Sequence, residues 1–165
     1  MPDRPSNEVV AEALEKAPAR KFSETVELSV NLKDLDLSVP KNRIEEEVPL
    51  PHGRGRPAKV AVIGSPELLQ KVRSVADVVI TGQELDEFAK GAKRASSGID
   101  FFLAEAPLMP TIGKRLGVVL GPRGKMPRPV APGTDPTNLI RALQRSVRIR
   151  SKGNRTFHAR SGTAR

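Results

Sequence analysis

Three short apolar segments constrain the fold of this 165-residue chain more than any other feature. They occupy residues 59–63 (KVAVI), 77–80 (DVVI) and 99–103 (IDFFL), and their apolar residues follow one another without alternation. The segments between them, residues 66–75 and 83–95, have the spacing of amphipathic helices. Strands that are apolar on both faces and alternate with helices are typical of a parallel sheet covered by helices. The sequence therefore predicts an α/β domain in the middle of the chain.

The flanking regions have a different pattern. Residues 24–33 alternate in polarity, as a half-buried strand does. The apolar side of this strand consists of Val26, Leu28, Val30 and Leu32, and the polar side of Thr25, Glu27, Ser29 and Asn31. Further strands are predicted at residues 44–50, 147–150 and 156–160, and helices at 7–17 and 136–144, the second one capped by Thr134 or Asp135.

These patterns predict two domains of mixed α/β and α+β class. Residues 57–150 form the α/β domain, which is inserted into a split α+β domain formed by residues 1–56 and 151–165. The split domain is expected to contain an antiparallel sheet with helices. A turn-rich basic segment precedes the inserted domain, and its hinge residues are Pro51, His52, Gly53 and Gly55.

The positive charge is concentrated in the last third of the chain. The net charge is −4 over residues 1–50, +1 over residues 51–110 and +12 over residues 111–165, which gives +9 for the whole chain. Asp135 is the only acidic residue of the last third. Intrachain ion pairs cannot neutralise this segment, so the sequence favours a polyanionic partner.

Composition excludes several kinds of site. The chain has no cysteine, so disulfides, thiolate metal ligands and cysteine nucleophiles are excluded, and a cytoplasmic location is expected. No segment has the pattern of a signal peptide or a membrane anchor. Tyr and Trp are absent and only five Phe are present, so an aromatic platform for stacked bases is hard to build. A nucleic acid would have to be bound mainly through charge and shape.

Two glycine-rich segments resemble nucleotide-binding motifs but fail on position or chemistry. Residues 53–58 (GRGRPA) satisfy G-x-G-x-x-G/A, yet they precede a strand instead of following one. Residues 121–129 (GPRGKMPRP) lack the first glycine of a phosphate-binding loop, where Val119 stands, and have Met126 in place of Ser or Thr. Arg123, Lys125 and Arg128 of this loop are candidate phosphate or tRNA contacts, against the alternative of a plain surface loop.

No residues point to catalysis, a cofactor or a metal. His52 and His158 lie in different segments without motif partners. Neighbouring residues of a strand face opposite sides, so Glu45, Glu46 and Glu47 are expected to form a solvated edge and not a metal site. A nucleotide- or phosphometabolite-binding enzyme and a basic DNA-binding regulator remain alternatives to an RNA-binding protein.

The segment before the first strand combines two cations with an aromatic residue: Arg20, Lys21 and Phe22. Phe22 is either a core residue at the strand entrance or an RNA contact. The polar side of the following strand is likewise either an ordinary solvent-facing side or a surface for ribose hydroxyls and base edges.

Four ordered motifs resemble the large-subunit ribosomal protein one family, whose members form the mobile stalk beside the tRNA exit site. They are residues 19–28 (ARKFSETVEL), 48–55 (VPLPHGRG), 116–127 (LGVVLGPRGKMP) and 146–150 (SVRIR). Residues 31–37 and 40–44 resemble the archaeal branch.

The resemblance implies a split first domain that carries most contacts to ribosomal RNA, and an inserted Rossmann-like domain of three layers. It implies binding to large-subunit ribosomal RNA and exit-site tRNA within the ribosome, and repression of translation through the protein's own mRNA. It implies no membrane association and a monomer when free. The candidate RNA-binding residues are Arg20, Lys21, Phe22, Thr25, Glu27, Ser29, Asn31, His158 and Arg160.

Family members continue beyond the returning strand with a helix and a final strand that carries a Thr-Met-Gly-Pro motif. Here the sequence ends at Arg165. We therefore expect the first domain to be incomplete in this chain.

Overall fold

The computed structural model describes residues 6–18 and 20–163. The chain divides into two compact units, one formed by residues 1–45 with 149–165 and the other by residues 46–148. We refer to them as unit 1 and unit 2 and describe each by itself.

Unit 2 alternates strands with helices over most of its length. Its elements are β3 (Val60–Gly64), α2 (Pro66–Val72), β4 (Val78–Thr81), α3 (Leu85–Ala95), β5 (Phe101–Glu105), α4 (Met109–Leu120), β6 (Arg128–Val130) and α5 (Thr137–Gln144). The four strands form one sheet in the order β4-β3-β5-β6, and every neighbouring pair is parallel. The predicted parallel sheet is confirmed.

The sheet of unit 2 is covered on both faces. Val60 and Val62 face a buried cluster with residues of α2 and α5, whereas Ala61 and Ile63 face a second cluster with residues of α3 and α4. All five residues of β3 are buried. Burial on both faces explains why the apolar runs show no alternation.

β6 is the one strand of this sheet that the sequence pattern does not indicate. Residues 121–129 read as a loop because of their prolines, but Arg128–Val130 pair with Leu103–Glu105 at the edge of the sheet. Proline is tolerated in an edge strand because one side of such a strand needs no backbone donor. The predicted helix at residues 136–144 is confirmed, but its N-cap residue is Pro136 and not Thr134 or Asp135. Asp135 lies one residue before the cap and accepts the Thr137 backbone N–H at 2.9 Å.

Unit 1 contains α1 (Ser6–Lys16), β1 (Thr25–Asn31), a 3-10 helix (Pro40–Asn42) and β8 (Thr156–Thr163). β1 and β8 pair antiparallel in a two-stranded ribbon. β2 (Glu45–Pro49) and β7 (Ser146–Arg150) form another two-stranded sheet, and the chain passes between the units within these two strands.

The core of unit 1 is small. Leu37, Phe157 and Ala159 are its buried apolar residues in the described part of the chain. Val26 and Val30 are half-buried as predicted, but Leu28 on the same side of β1 is 57% exposed. The apolar residues of α1 are also exposed. Few described residues cover the apolar side of the ribbon, so its alternation predicts the strand but overstates the burial of Leu28.

Candidate nucleic-acid interface

The polar residues of β1 and β8 lie on one face of the ribbon. In the antiparallel register Ser29 is opposite His158 and Glu27 is opposite Arg160. Residues that are directly opposite in such a pair point to the same face, and so do alternate residues along each strand. Six candidate residues therefore share this face, and all are exposed: Thr25, Glu27, Ser29, Asn31, His158 and Arg160. We call them the ribbon face.

The side chains of the ribbon face are only loosely tied to one another. The Arg160 Nε lies 3.6 Å from Glu27 Oε1, and both side chains are about half exposed or more. An exposed pair of this kind contributes about 1 kcal/mol or less, so Arg160 can exchange Glu27 for another anion at little cost. Thr156 Oγ1 donates to Asn31 Oδ1 at 3.2 Å. The face thus offers hydroxyl, amide, imidazole and guanidinium groups to a partner.

Phe22 is a surface residue. It is 64% exposed, and the Arg20 guanidinium lies 5.8 Å from the centroid of its ring. Arg20 also pairs with Glu24 at 3.0 Å, and Lys21 is exposed. The alternative of a core phenylalanine is therefore wrong in this structure. Arg20 and Phe22 form an exposed cation–π pair just before β1.

The side chains of Arg123 and Lys125 form hydrogen bonds within unit 2. Arg123 Nη1 donates to the Lys93 carbonyl at 2.9 Å and to Ser96 Oγ at 2.8 Å. Lys125 Nζ donates to the carbonyls of Ser96 at 2.8 Å and Ile99 at 2.5 Å. Burial lowers the pKa of Lys125, while the nearby Asp100 carboxylate acts in the opposite direction. The Lys93 and Ser96 carbonyls lie at the C-terminal end of α3, where a positive charge also complements the helix dipole.

Arg128 belongs to an ion-pair network. Its Nη2 lies 2.6 Å from Glu47 Oε2, and Arg148 Nη2 lies 2.7 Å from Glu47 Oε1. Glu47 is therefore not a solvated edge residue, unlike the exposed Glu46 beside it. Glu45 pairs with Arg150 at 3.1 Å. The described residues contain no group of three or more side chains that could hold a metal ion.

The predicted hinge segment forms one wall of a basic cleft in unit 2. Gly53 and Gly55 have φ angles of +74° and +81°, a conformation that favours glycine. The cleft measures about 510 Å³ and is lined by His52, Gly53, Arg54, Gly55, Arg141 and Arg145, among others. Pro51 is exposed at the start of the segment.

Arg54, Arg141 and Arg145 are functional candidates that the sequence patterns missed. Arg141 and Arg145 are exposed, four positions apart at the end of α5, and make no ion pair within the described ranges. Arg54 approaches Asp100 at 3.8 Å. The spacing of Arg141 and Arg145 places them on one side of the helix, but no pattern indicates that the hinge segment lies beside them. Three arginines and no acidic residue are among the described residues that line the cleft, which suits a phosphate group.

A second cleft of unit 2, of about 470 Å³, lies at the carboxyl ends of β3, β4 and β5. Nucleotides bind at this edge in many open α/β sheets, with their phosphates on the first helix. Here Glu105 Oε2 accepts the Ser65 backbone N–H at 2.7 Å, so a carboxylate already occupies the place of a phosphate. The GRGRPA motif ends before β3, as predicted. Neither feature supports a nucleotide site.

No helix in residues 6–18 and 20–163 has the length and apolar content needed to cross a membrane.

The chain is similar to known ribosomal proteins over most of its length. A family model described as Ribosomal protein L1p/L10e family matches residues 13–165. The large ribosomal subunit protein uL1 of Thermoplasma acidophilum is 54% identical over 157 residues, which cover 93% of this chain and 72% of the relative. The corresponding protein of Archaeoglobus fulgidus is 49% identical over 158 residues, with 93% and 74% covered. That of Picrophilus torridus is 51% identical over 160 residues, with 95% and 74% covered.

These relatives confirm the family resemblance and its archaeal branch. They carry one name, that of a structural protein of the large ribosomal subunit, and none is an enzyme. The chain belongs to the ribosomal protein L1p/L10e family.

Proposed function

We propose that this protein is a component of the large ribosomal subunit in the cytoplasm and binds large-subunit ribosomal RNA through the ribbon face. The observation that carries the proposal is the register of β1 and β8, which collects six exposed polar side chains on one side of the ribbon. Family membership and the names of the relatives support the ribosomal role. Family membership also argues against the alternative of a nucleotide- or phosphometabolite-binding enzyme.

The chemistry of the ribbon face suits structured RNA better than duplex DNA. Short polar side chains such as Ser29 and Asn31 can contact ribose 2′-hydroxyls and base edges, which distinguish RNA from DNA. Arg160, Arg20 and Lys21 supply phosphate contacts that give affinity without sequence information. The exposed ring of Phe22 can stack on an unpaired base at the edge of the face.

The test is binding of a large-subunit stalk RNA fragment by fluorescence anisotropy at several KCl concentrations. We expect Ser29→Ala combined with Asn31→Ala to weaken binding about tenfold at every KCl concentration, because the two substitutions remove hydrogen bonds to RNA without changing the charge of the protein. Lys41→Ala, in the exposed 3-10 helix of unit 1, is the control and should have little effect. Equal affinity for duplex DNA of the same length would overturn the assignment in favour of a general basic DNA-binding protein.

We also propose that the basic cleft of unit 2 contacts a second RNA, the tRNA at the exit site. Arg141 and Arg145 carry this proposal because they are exposed cations that form no ion pair among the described residues, beside the glycines of the hinge segment. Arg145→Ala should weaken tRNA binding and leave binding of the stalk fragment unchanged. The salt slope of tRNA binding, which is the slope of log K against log [KCl], should fall in magnitude by about 1, the value for one phosphate contact. If Arg145→Ala weakened binding of both tRNA and the stalk fragment, the cleft would not be a specific tRNA site.

Repression through the protein's own mRNA is proposed for the same ribbon face. If the face serves both RNAs, the mRNA leader must compete with the stalk fragment, and the Ser29→Ala and Asn31→Ala pair must weaken both. Simultaneous binding of the two RNAs to one protein molecule would contradict this proposal.

A further inference from the structure

The cleft at the carboxyl ends of β3, β4 and β5 remains without a role in RNA binding. Its walls include the apolar or backbone surfaces of Pro66, Gly82, Pro107 and Leu108, and Glu105 is the only charged residue that lines it in the described part of the chain. A cleft of about 470 Å³ is large enough for a long side chain or a small molecule.

Glu105 has one carboxylate oxygen available to a ligand. Oε2 accepts the Ser65 backbone N–H, whereas Oε1 accepts no hydrogen bond from the described residues. The side chain is half-buried, so water screens a charge beside it less than it would on an open surface. A half-buried carboxylate with a free oxygen and apolar walls favours a cation attached to an apolar stem.

The surroundings of the cleft carry the same sign of charge. Residues 64–67, 81–87 and 105–108 contain five acidic residues and no basic one, in a chain with a net charge of +9. Asp86 among them pairs with Arg115 of α4, and Glu84 accepts hydrogen bonds from Thr81. The other acids add to the negative field at this end of unit 2, which repels phosphate and attracts cations.

We propose that this cleft is a docking site for an extended basic segment of another protein. A Lys or Arg side chain of the segment enters the cleft, its methylene stem lies against Leu108 and Pro107, and its charged head meets Glu105 Oε1. Long basic side chains bury their stems on apolar surface while the head stays with a polar partner, which is the arrangement that the cleft offers. Neighbouring basic residues of the segment face the acidic loops.

The probe for the test is a fluorescein-labelled peptide of alternating Lys and Ala, titrated with the full chain and followed by anisotropy. Glu105→Gln removes the charge and keeps an oxygen that can accept the Ser65 N–H. We expect this substitution to weaken peptide binding about tenfold and to leave binding of the stalk RNA fragment unchanged. Glu8→Gln, an exposed acid on α1, makes the same change in net charge and should have no such effect.

A second variant blocks the cleft instead of neutralising it. A Cβ at Gly82 would lie 3.6 Å from Leu108 Cδ2, an ordinary contact, so Gly82→Lys is expected to fold and to place its own ammonium in the cleft. Peptide binding should then be lost. The docking site is refuted if neither variant weakens peptide binding, or if Glu8→Gln weakens it as much as Glu105→Gln. Displacement of the peptide by spermidine at equal concentration would refute a protein segment as the occupant.

Discussion

Glu47 of β2 and Arg148 of β7 form an ion pair of 2.7 Å within unit 2, and both side chains are about four-fifths buried. The same carboxylate holds Arg128 of β6. Arg148 also lies over the ring of Phe101, 4.9 Å from its centroid, and donates to the Gly124 carbonyl. Glu47 thus joins three segments that are distant in sequence, and a single substitution should affect all three.

Glu47→Ala is expected to lower the free energy of unfolding by about 2–3 kcal/mol. The substitution leaves Arg148 largely buried without its carboxylate, and an unpaired charge of this kind is costly. Urea denaturation followed by circular dichroism measures the change. Glu46→Ala is the matched control, because Glu46 is the exposed neighbour on the same strand. Equal losses for the two variants would show that the network contributes nothing specific.

Phe22→Ala is expected to weaken binding of the stalk RNA fragment and to leave the fold intact. Loss of one base-stacking contact corresponds to about 1–3 kcal/mol of binding free energy. The exposed ring of Phe22 contributes little to the core, so the free energy of unfolding should change by less than about 0.5 kcal/mol. Phe157→Ala, a buried aromatic of β8, should instead destabilise the protein. If Phe22→Ala bound the RNA with unchanged affinity, Phe22 would not be part of the RNA interface.

Lys125→Met separates a structural role from a phosphate contact. The substitution keeps the length of the side chain but leaves the Ser96 and Ile99 carbonyls without their donor, so we expect a loss of about 1–3 kcal/mol in stability. The salt slope of RNA binding should stay unchanged. Lys114→Met on the exposed side of α4 is the control for charge. If Lys125 bound a phosphate, the slope would fall by about 1.

Asp135 should make stability depend on pH. Hydrogen bonds from the side chain and then the backbone of Thr137 lower the pKa of Asp135 below its ordinary value of 3.8. A lowered pKa in the folded state stabilises the protein above pH 3.8, and this stabilisation is lost as pH falls through the lowered value. Asp135→Asn should therefore reduce Tm near neutral pH, with a gap from the parent protein that closes in acid. A gap that stays constant across the titration would contradict this cause.

Glu87→Gln serves as the control for that titration. Glu87 is exposed on α3 and its carboxylate takes part in no hydrogen bond or ion pair within the described chain. Thermal melts of the two variants and the parent protein should be recorded in the same buffers, so that general effects of acid on the fold cancel.

Periodicity predicted the elements of unit 2 well because the strands of a buried parallel sheet are apolar throughout. It failed at β6, because Pro129 signals a loop in any pattern and is compatible with a strand only at a sheet edge. It also failed at Leu28, because alternation shows which side of a strand is apolar but not whether other residues cover that side. Both failures concern the surroundings of an element, which a local pattern does not contain.

The candidate site was predictable where residues share a strand. Alternation places Thr25, Ser29 and Asn31 on one side of β1, but only the register with β8 brings His158 and Arg160 beside them. Arg123 and Lys125 show the opposite case. Their charge and loop composition suggest phosphate contacts, yet the carbonyls that accept their hydrogen bonds lie 30 and 29 positions earlier in the chain.

The pairing of β1 with β8 also determines the order in which the chain can fold. Asn31 pairs with Thr156 across 125 positions, and the whole of unit 2 lies between them. During synthesis β1 is made first and has no partner strand until residues 156–163 follow. The strands of unit 2 close much shorter loops and can form their sheet earlier. A folded unit 2 then shortens the effective loop that β1 and β8 must close, which lowers the entropic cost of forming the ribbon.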